Sequence, residues 1–113
     1  MKKPPQEHKQ GDPYFRAKAD EAKPRPTLLP TPALRAVLQV LEYGAQKYAP
    51  HSWRNVPDAR RRYLDAMGRH YLDCIEHGPF SLDAESGLTH LSHLTCNAVF
   101  LLALGPEDEP CWD

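Results

Sequence analysis

Apolar residues recur at three- and four-residue steps in three separate stretches of this chain, and each stretch reads as a helix with a covered face. In the first, Ala33, Leu34, Val37, Leu38, Leu41, Ala45 and Tyr48 share an arc, with Arg35, Glu42 and Gln46 opposite. Thr31 as N-cap and Pro32 at the first helical position make a favoured start, and Pro50 bars continuation. Gly44 lies inside the apolar arc, where a missing side chain lets a backbone or a ligand come close, and Lys47 sits at its edge. Residues 49–57 read as a loop carrying His51, Trp53 and Arg54. Asp58 is placed to cap a second helix that ends at Gly78-Pro79. Tyr63, Ala66, Met67, His70, Tyr71 and Cys74 share its inner arc, so His70 points inward while Asp73 and Glu76 point outward.

The third helix is predicted from near Ser86 to just before Gly105-Pro106. Leu88, Leu91, Leu94, Ala98, Val99 and Leu102 form its main arc. His90, His93 and Asn97 occupy a second side with Phe100, Leu101 and Leu104, leaving Ser92, Cys96 and Ala103 for solvent. The expected fold is therefore all-α: a compact bundle of about three main helices with an extended N-terminal arm. So thin a core is marginal alone, and the third helix is apolar on nearly every side. The bundle is expected to be completed by oligomerisation, as a homo-oligomer (dimer or higher).

Seven of the twelve prolines lie at or before Pro32, and residues 1–22 are otherwise mostly polar, which marks a flexible arm. The helical domain is assigned to 23–105 and an acidic tail, with Trp112 as a docking residue, to 106–113. Lys23-Pro24-Arg25-Pro26 and Leu28-Leu29 read either as a segment laid on the body or as a linker with an apolar anchor.

Charge is balanced, with 14 Lys plus Arg against 15 Asp plus Glu, which argues against a general nucleic-acid binder. The run Arg60-Arg61-Arg62 reads as a solvated helix face. Three cysteines without a Cys-x-x-Cys pair suggest reduced thiols, and the start of the chain lacks the apolar core of a signal peptide. No stretch is long enough to span a bilayer. The expected location is the cytoplasm, with no membrane partner.

Covered polar groups need partners. His90, His93 and Asn97, with His70 converging from the second helix, are candidate metal ligands or base-reading groups; the plain alternative is an interior hydrogen-bonded network. A carboxylate from Asp83 or Glu85 completes a mixed site for Mg2+, Mn2+ or Zn2+. The two carboxylates also suit capping of the third helix, and both roles are compatible with activating water in phosphate-ester hydrolysis. Lys23, Arg25, Lys47, Arg54 and Arg69, taken with Trp53, Tyr43 and Tyr48, outline a nucleotide pocket rather than a DNA groove. Neither a nucleophile triad nor a P-loop nor a dinucleotide fingerprint is recognisable.

Lys23-Pro24-Arg25, Tyr43-Gly44-Ala45-Gln46-Lys47-Tyr48, Ser52-Trp53-Arg54, Arg69-His70, Asp83-Ala84-Glu85-Ser86-Gly87-Leu88 and His90…His93…Asn97 occur in an order that resembles the phage dATP/dGTP diphosphohydrolase family. That family is related to the MazG-like all-α nucleotide pyrophosphohydrolases, and the resemblance covers roughly residues 20–104. It implies an α-helical oligomer that cleaves a purine deoxynucleoside triphosphate to monophosphate and pyrophosphate, with some members reshaping the host purine pool for phage DNA. It implies a divalent cation; the first reading built on it is Mg2+ or Mn2+ held by Asp83 and Glu85 with His70, His90 or His93. Asp83, Glu85 and His93 would be catalytic; Lys23, Arg25, Lys47, Arg54 and Arg69 would meet phosphate; Trp53 or Tyr48 would stack on the base, and Asn97 would bind substrate. The pattern departs from the family at Ala22 and Ser52, and the paired Glu-x-x-Glu and Glu-x-x-Asp motifs of MazG proteins are absent. This absence motivates a second reading, a non-catalytic protein that sequesters a host signalling nucleotide. A helical adaptor is the third.

Overall fold

The protein is seen in a computed structural model that describes residues 21–106. The predicted arm over residues 1–20 and the tail from 107, with Cys111 and Trp112, lie outside the described residues. Three helices carry the fold: α1 (Thr31–Lys47), α2 (Ala59–His77) and α3 (His90–Leu104). Short 3-10 turns at Pro26–Leu28 and Ser52–Asn55 precede α1 and α2. Among the described residues the one β interaction is an isolated bridge between Leu82 and Thr89, so the chain is all-α as its periodicity predicts. No helix there is long and apolar enough to cross a membrane.

The α2 and α3 helices pack along one another, and α1 lies against α3. Cys96, at the middle of α3, is 1% exposed; Val40 is the other buried apolar side chain among the described residues. The expected solvated strip therefore fails at Cys96, because α3 is covered by a helix on two sides. The inner face of α1 is also rotated from the prediction. Leu34, Leu38 and Tyr48 are exposed, whereas Val40, which the arc omitted, is buried. Packed mainly against α3 among the described residues, α1 buries a narrower stripe than its apolar arc. Tyr71 is likewise exposed on α2, and Leu28 and Leu29 are uncovered within the single chain.

The helix starts differ in register from the predictions. Residue Thr31 is itself helical and Pro30 stands at the cap, which places Pro32 in the first turn, where its missing N–H has no helical acceptor to lose. Asp58 heads α2 in a left-handed conformation (φ 55°) but makes no capping bond; its carboxylate pairs with Arg61. The α3 helix starts at His90, not near Ser86, because Thr89 is the residue whose Oγ1 accepts the Ser92 N–H at 3.1 Å.

Residues 81–89 instead form a hairpin. The Asp83 N–H donates to Leu88 O and the Gly87 N–H to Asp83 O, each at 2.8 Å, with Gly87 at φ 73°, a region that favours glycine. Asp83 consequently caps this turn rather than α3: its Oδ2 accepts from Ser86 N (2.9 Å) and Ser86 Oγ (3.0 Å). The hairpin is tied back to α3 by His90 N donating to Ser81 O and Leu91 N to Pro79 O, which satisfies two otherwise orphaned first-turn donors.

At the other end of α3, Arg60 donates from Nε to Gly105 O and from Nη2 to Leu104 O, both at 2.8 Å. The first arginine of the basic run is thus a clamp on a helix C-terminus, where a cation meets the negative end of the dipole, and not a solvated residue.

Candidate functional site

A cavity of about 960 Å³ opens between α1, the Ser52–Asn55 turn, α2 and α3. Its inner wall is apolar, with Val40, Tyr63, Cys96 and Phe100, and its polar wall carries Lys47, Glu85, His93, Asn97, Arg62 and Arg69. Trp53 lines it while stacked on Phe100, with ring centroids 4.7 Å apart at 17°. Tyr63 fixes the Trp53 backbone by donating from its hydroxyl to the Trp53 carbonyl at 2.7 Å. One indole face is therefore committed to the protein, and the Arg54 guanidinium stands 5.2 Å from the indole centroid.

Helical spacing on α3 brings His93 and Asn97 to this cavity, one turn apart on one stripe. Asn97 is buried, and its Nδ2 donates to the His93 carbonyl at 2.9 Å. A carbonyl only accepts, so this bond fixes the amide's orientation and leaves Oδ1 as the acceptor for a ligand. The His93 Nε2 meets Ser86 Oγ at 2.6 Å and lies 3.9 Å from Asp83 Oδ2. Its ring stacks on that of His70, 4.7 Å away and nearly parallel at 10°.

Behind His93 the imidazoles converge. The Nδ1 atoms of His70 and His90 lie 2.9 Å apart, and His90 Nδ1 is 3.5 Å from Asp73 Oδ2. His70, His90 and Asp83 each offer a ligand atom within 4.8 Å of the others, a donor set able to hold a divalent cation. Asp73 was expected to face outward; its carboxylate is still 40% exposed, but it stands at the edge of α2 that meets the first turn of α3 and so flanks His90. Burial lowers the pKa of His70, helped by the neighbouring His93 and His90. Burial also lowers that of His93, against the opposing pull of Asp83. For Asp83 burial pushes upward, but the Ser86 N–H and hydroxyl outweigh it and hold the carboxyl below its usual range.

Glu85 is used differently. It accepts from Lys47 Nζ and, at 2.9 Å, from the Tyr43 hydroxyl, linking the hairpin to α1 across the cavity mouth. The Lys47 bond lowers the Glu85 pKa and raises that of Lys47. Glu85 is not among the converging ligands.

Of the residues singled out from sequence, the fold brings Lys47, Tyr48, Trp53, Arg69, Glu85, His93 and Asn97 to one cavity, and His70, Asp83 and His90 to one cluster beside it. Arg54 rests on Trp53 outside the cavity lining, and Lys23 and Arg25 lie on the exposed segment before α1. Sequence reasoning missed Arg62, Ser86 and Asp73. Ser86 alone left a signal, since Asp-x-x-Ser is a side-chain-capped turn.

A family model described as dATP/dGTP diphosphohydrolase, N-terminal, matches residues 15–109. No curated protein and no solved structure matches the chain. The family match spans most of the chain and includes every element that builds the cavity and the imidazole cluster; this protein belongs to the dATP/dGTP diphosphohydrolase N-terminal family.

Proposed function

We propose that this protein hydrolyses a purine deoxynucleoside triphosphate to its monophosphate and pyrophosphate with the aid of a divalent cation, and that it serves phage nucleotide-pool metabolism. The observation that carries the reading is the shared wall: His93 lines a cavity large enough for a nucleotide and stacks directly on the imidazole–carboxylate cluster behind it. The family's description supports the substrate class, and the phage setting follows from the sequence resemblance alone.

In this mechanism the base enters the apolar wall formed by Val40, Tyr63 and Phe100, where the acceptor Oδ1 of Asn97 meets an N–H of the purine. Lys47, Arg62 and Arg69 at the cavity wall neutralise phosphate oxygens. Lys47 exchanges its Glu85 partner for phosphate, while Tyr43 keeps Glu85 and the hairpin tied to α1. A cation held by His70, His90 and Asp83 would supply charge neutralisation of the phosphates and polarisation of water. Water attacks the α-phosphorus, the bond to the bridging oxygen of the β-phosphate breaks, pyrophosphate leaves, and His93 takes the proton. Ser86 holds the His93 ring in place for that transfer.

The engagement of Glu85 by Lys47 and Tyr43 favours the second reading to the extent that this carboxylate is unavailable to the reaction. Chromatography of each deoxynucleoside triphosphate after incubation with protein and metal separates the two. Purine monophosphate with pyrophosphate is expected; tight binding with intact ligand recovered would make the protein a sequestering one. A second copy of the chain is proposed to cover the exposed Leu72, Ile75, Phe80 and Leu82, since so few apolar side chains are buried in one protomer. Sedimentation equilibrium should report a dimer or larger.

A further inference from the structure

We propose that the His70–His90–Asp83 cluster is a site for a borderline transition-metal ion, Mn2+ or Zn2+ in class, and that it discriminates against Mg2+. The inference deepens the functional reading above and rests on it for purpose, but the site is argued from its donors alone. Mg2+ is a hard ion that prefers six oxygens, keeps several waters and dehydrates reluctantly. Imidazole nitrogen suits later and softer divalent ions. Here two of the three converging donors are nitrogens, and a third imidazole, His93, is stacked against one of them.

The spacing fits one ion. Two ligands bound at about 2.1 Å and at right angles stand roughly 3 Å apart, and the two Nδ1 atoms are separated by 2.9 Å. Ligands across an ion at that bond length stand about 4.2 Å apart; the three donors fall within 4.8 Å of one another, so a side-chain shift of roughly half an ångström at most closes the widest pair onto one ion. They come from three chain segments: the middle of α2, the first turn of α3 and the hairpin. Two of the three are held from behind: Ser86 grips Asp83 with its N–H and hydroxyl, and His93 stacks on His70; Asp73 Oδ2 instead lies 3.5 Å from His90 Nδ1, on the donor side of that ring. Outer contacts of this kind orient ligands and strengthen binding by about 10–100-fold.

The competing account is a neutral imidazole pair that shares one hydrogen bond and binds nothing. A second group, Asp73, Glu76 and His77, lies on the outer side of α2, where two of its three members are exposed. Calorimetry on chelator-treated full-length protein, without nucleotide, with Zn2+, Mn2+ and Mg2+ in turn, decides among these. The visible spectrum of the Co2+ form reports nitrogen ligation independently of any activity.

One Zn2+ or Mn2+ per chain is expected, at least about 100-fold tighter than Mg2+. His90→Ala and Asp83→Asn should each weaken binding by about tenfold or more and alter the Co2+ spectrum, while His77→Ala leaves both unchanged. Circular dichroism identifies any variant that fails to fold; for such a variant His70→Gln is the replacement probe. Equal affinity for Mg2+, no binding by wild type, or loss on His77→Ala with retention in His90→Ala would overturn the proposal. Hydrolysis supported by Mg2+ alone, with no binding at the histidines, would defeat this site and leave the nucleotide reading standing.

Discussion

Replacing His93 by alanine removes a side chain that borders both the cavity and the imidazole cluster. The contacts with Ser86 and His70 disappear, along with a looser edge-on contact of the Tyr43 ring at 6.5 Å. The bond to Ser86 Oγ is worth about 0.5–1.5 kcal/mol net, and the stack on His70 about as much. No buried orphan is left, because Ser86 Oγ still donates to Asp83 and accepts from the Leu88 N–H. The expected cost is therefore about 1–3 kcal/mol, without the extra penalty of an unsatisfied group. For a domain of this size that is a fall in Tm of roughly 4–8 °C per kcal/mol. Calorimetric Tm, nucleotide Kd and turnover measured on one preparation separate packing from function. Folded His93→Ala should bind nucleotide at least about tenfold more weakly, or lose turnover outright, while its far-ultraviolet circular dichroism stays native. Arg60→Ala supplies the control, being comparably destabilised at a residue that does not line the cavity. If His93→Ala loses stability alone, with affinity and turnover per folded molecule within twofold of wild type, the site assignment is wrong and the stripe is only a core network.

Arg60→Ala should itself cost about 1–3 kcal/mol, since two charge-assisted bonds to the terminal carbonyls of α3 are lost; Arg60→Lys, lacking the fork, should recover only part of the Tm. The Cys96 thiol is pushed up to about 11 by burial, so its thiolate at pH 8 is roughly 100-fold scarcer than for an ordinary cysteine. Iodoacetamide should label half-buried Cys74 before Cys96, which should react freely only in denaturant. Burial holds the His70 and His93 pKa values below 6.5, and a group that binds its proton more readily when unfolded stabilises the fold above its unfolded pKa. Asp83 acts with the same sign further into acid. Tm should be level between about pH 7 and pH 8 and fall as pH drops below about 6.5; a Tm that rises on acidification would refute the lowered imidazole pKa values.

The helices were legible because each is long and periodic, and because proline and glycine mark the boundaries at Pro50, Gly78 and Gly105. The start of α3 was not. Asp83, Glu85 and Ser86 are good helix-start residues, but Thr89 is one as well, and only the long-range tie between Ser81 and His90 decides between them. The inward turn of His70, His90 and His93 followed from their arcs. The contact of Asp73 with His90 did not, since it depends on how α3 lies along α2, which no local pattern encodes. Similarly, Lys47 and Glu85 were each recognisable as charged candidates, yet their pairing joins residues 38 positions apart. The exposure of Leu34 and Leu38 marks the limit of periodicity: it identifies an apolar face without saying how many neighbours cover it.

The central claim, that one cavity takes the nucleotide against a cation held by the imidazole–carboxylate cluster, is tested most directly by a crystal structure with Mn2+ and a non-hydrolysable purine deoxynucleoside triphosphate. The account predicts an anomalous peak within about 2.0–2.2 Å of His70, His90 and Asp83 ligand atoms, phosphate oxygens at Lys47, and the base against Phe100 and Asn97. A metal bound elsewhere, or a nucleotide lying outside the cavity between α1 and α3, would contradict it.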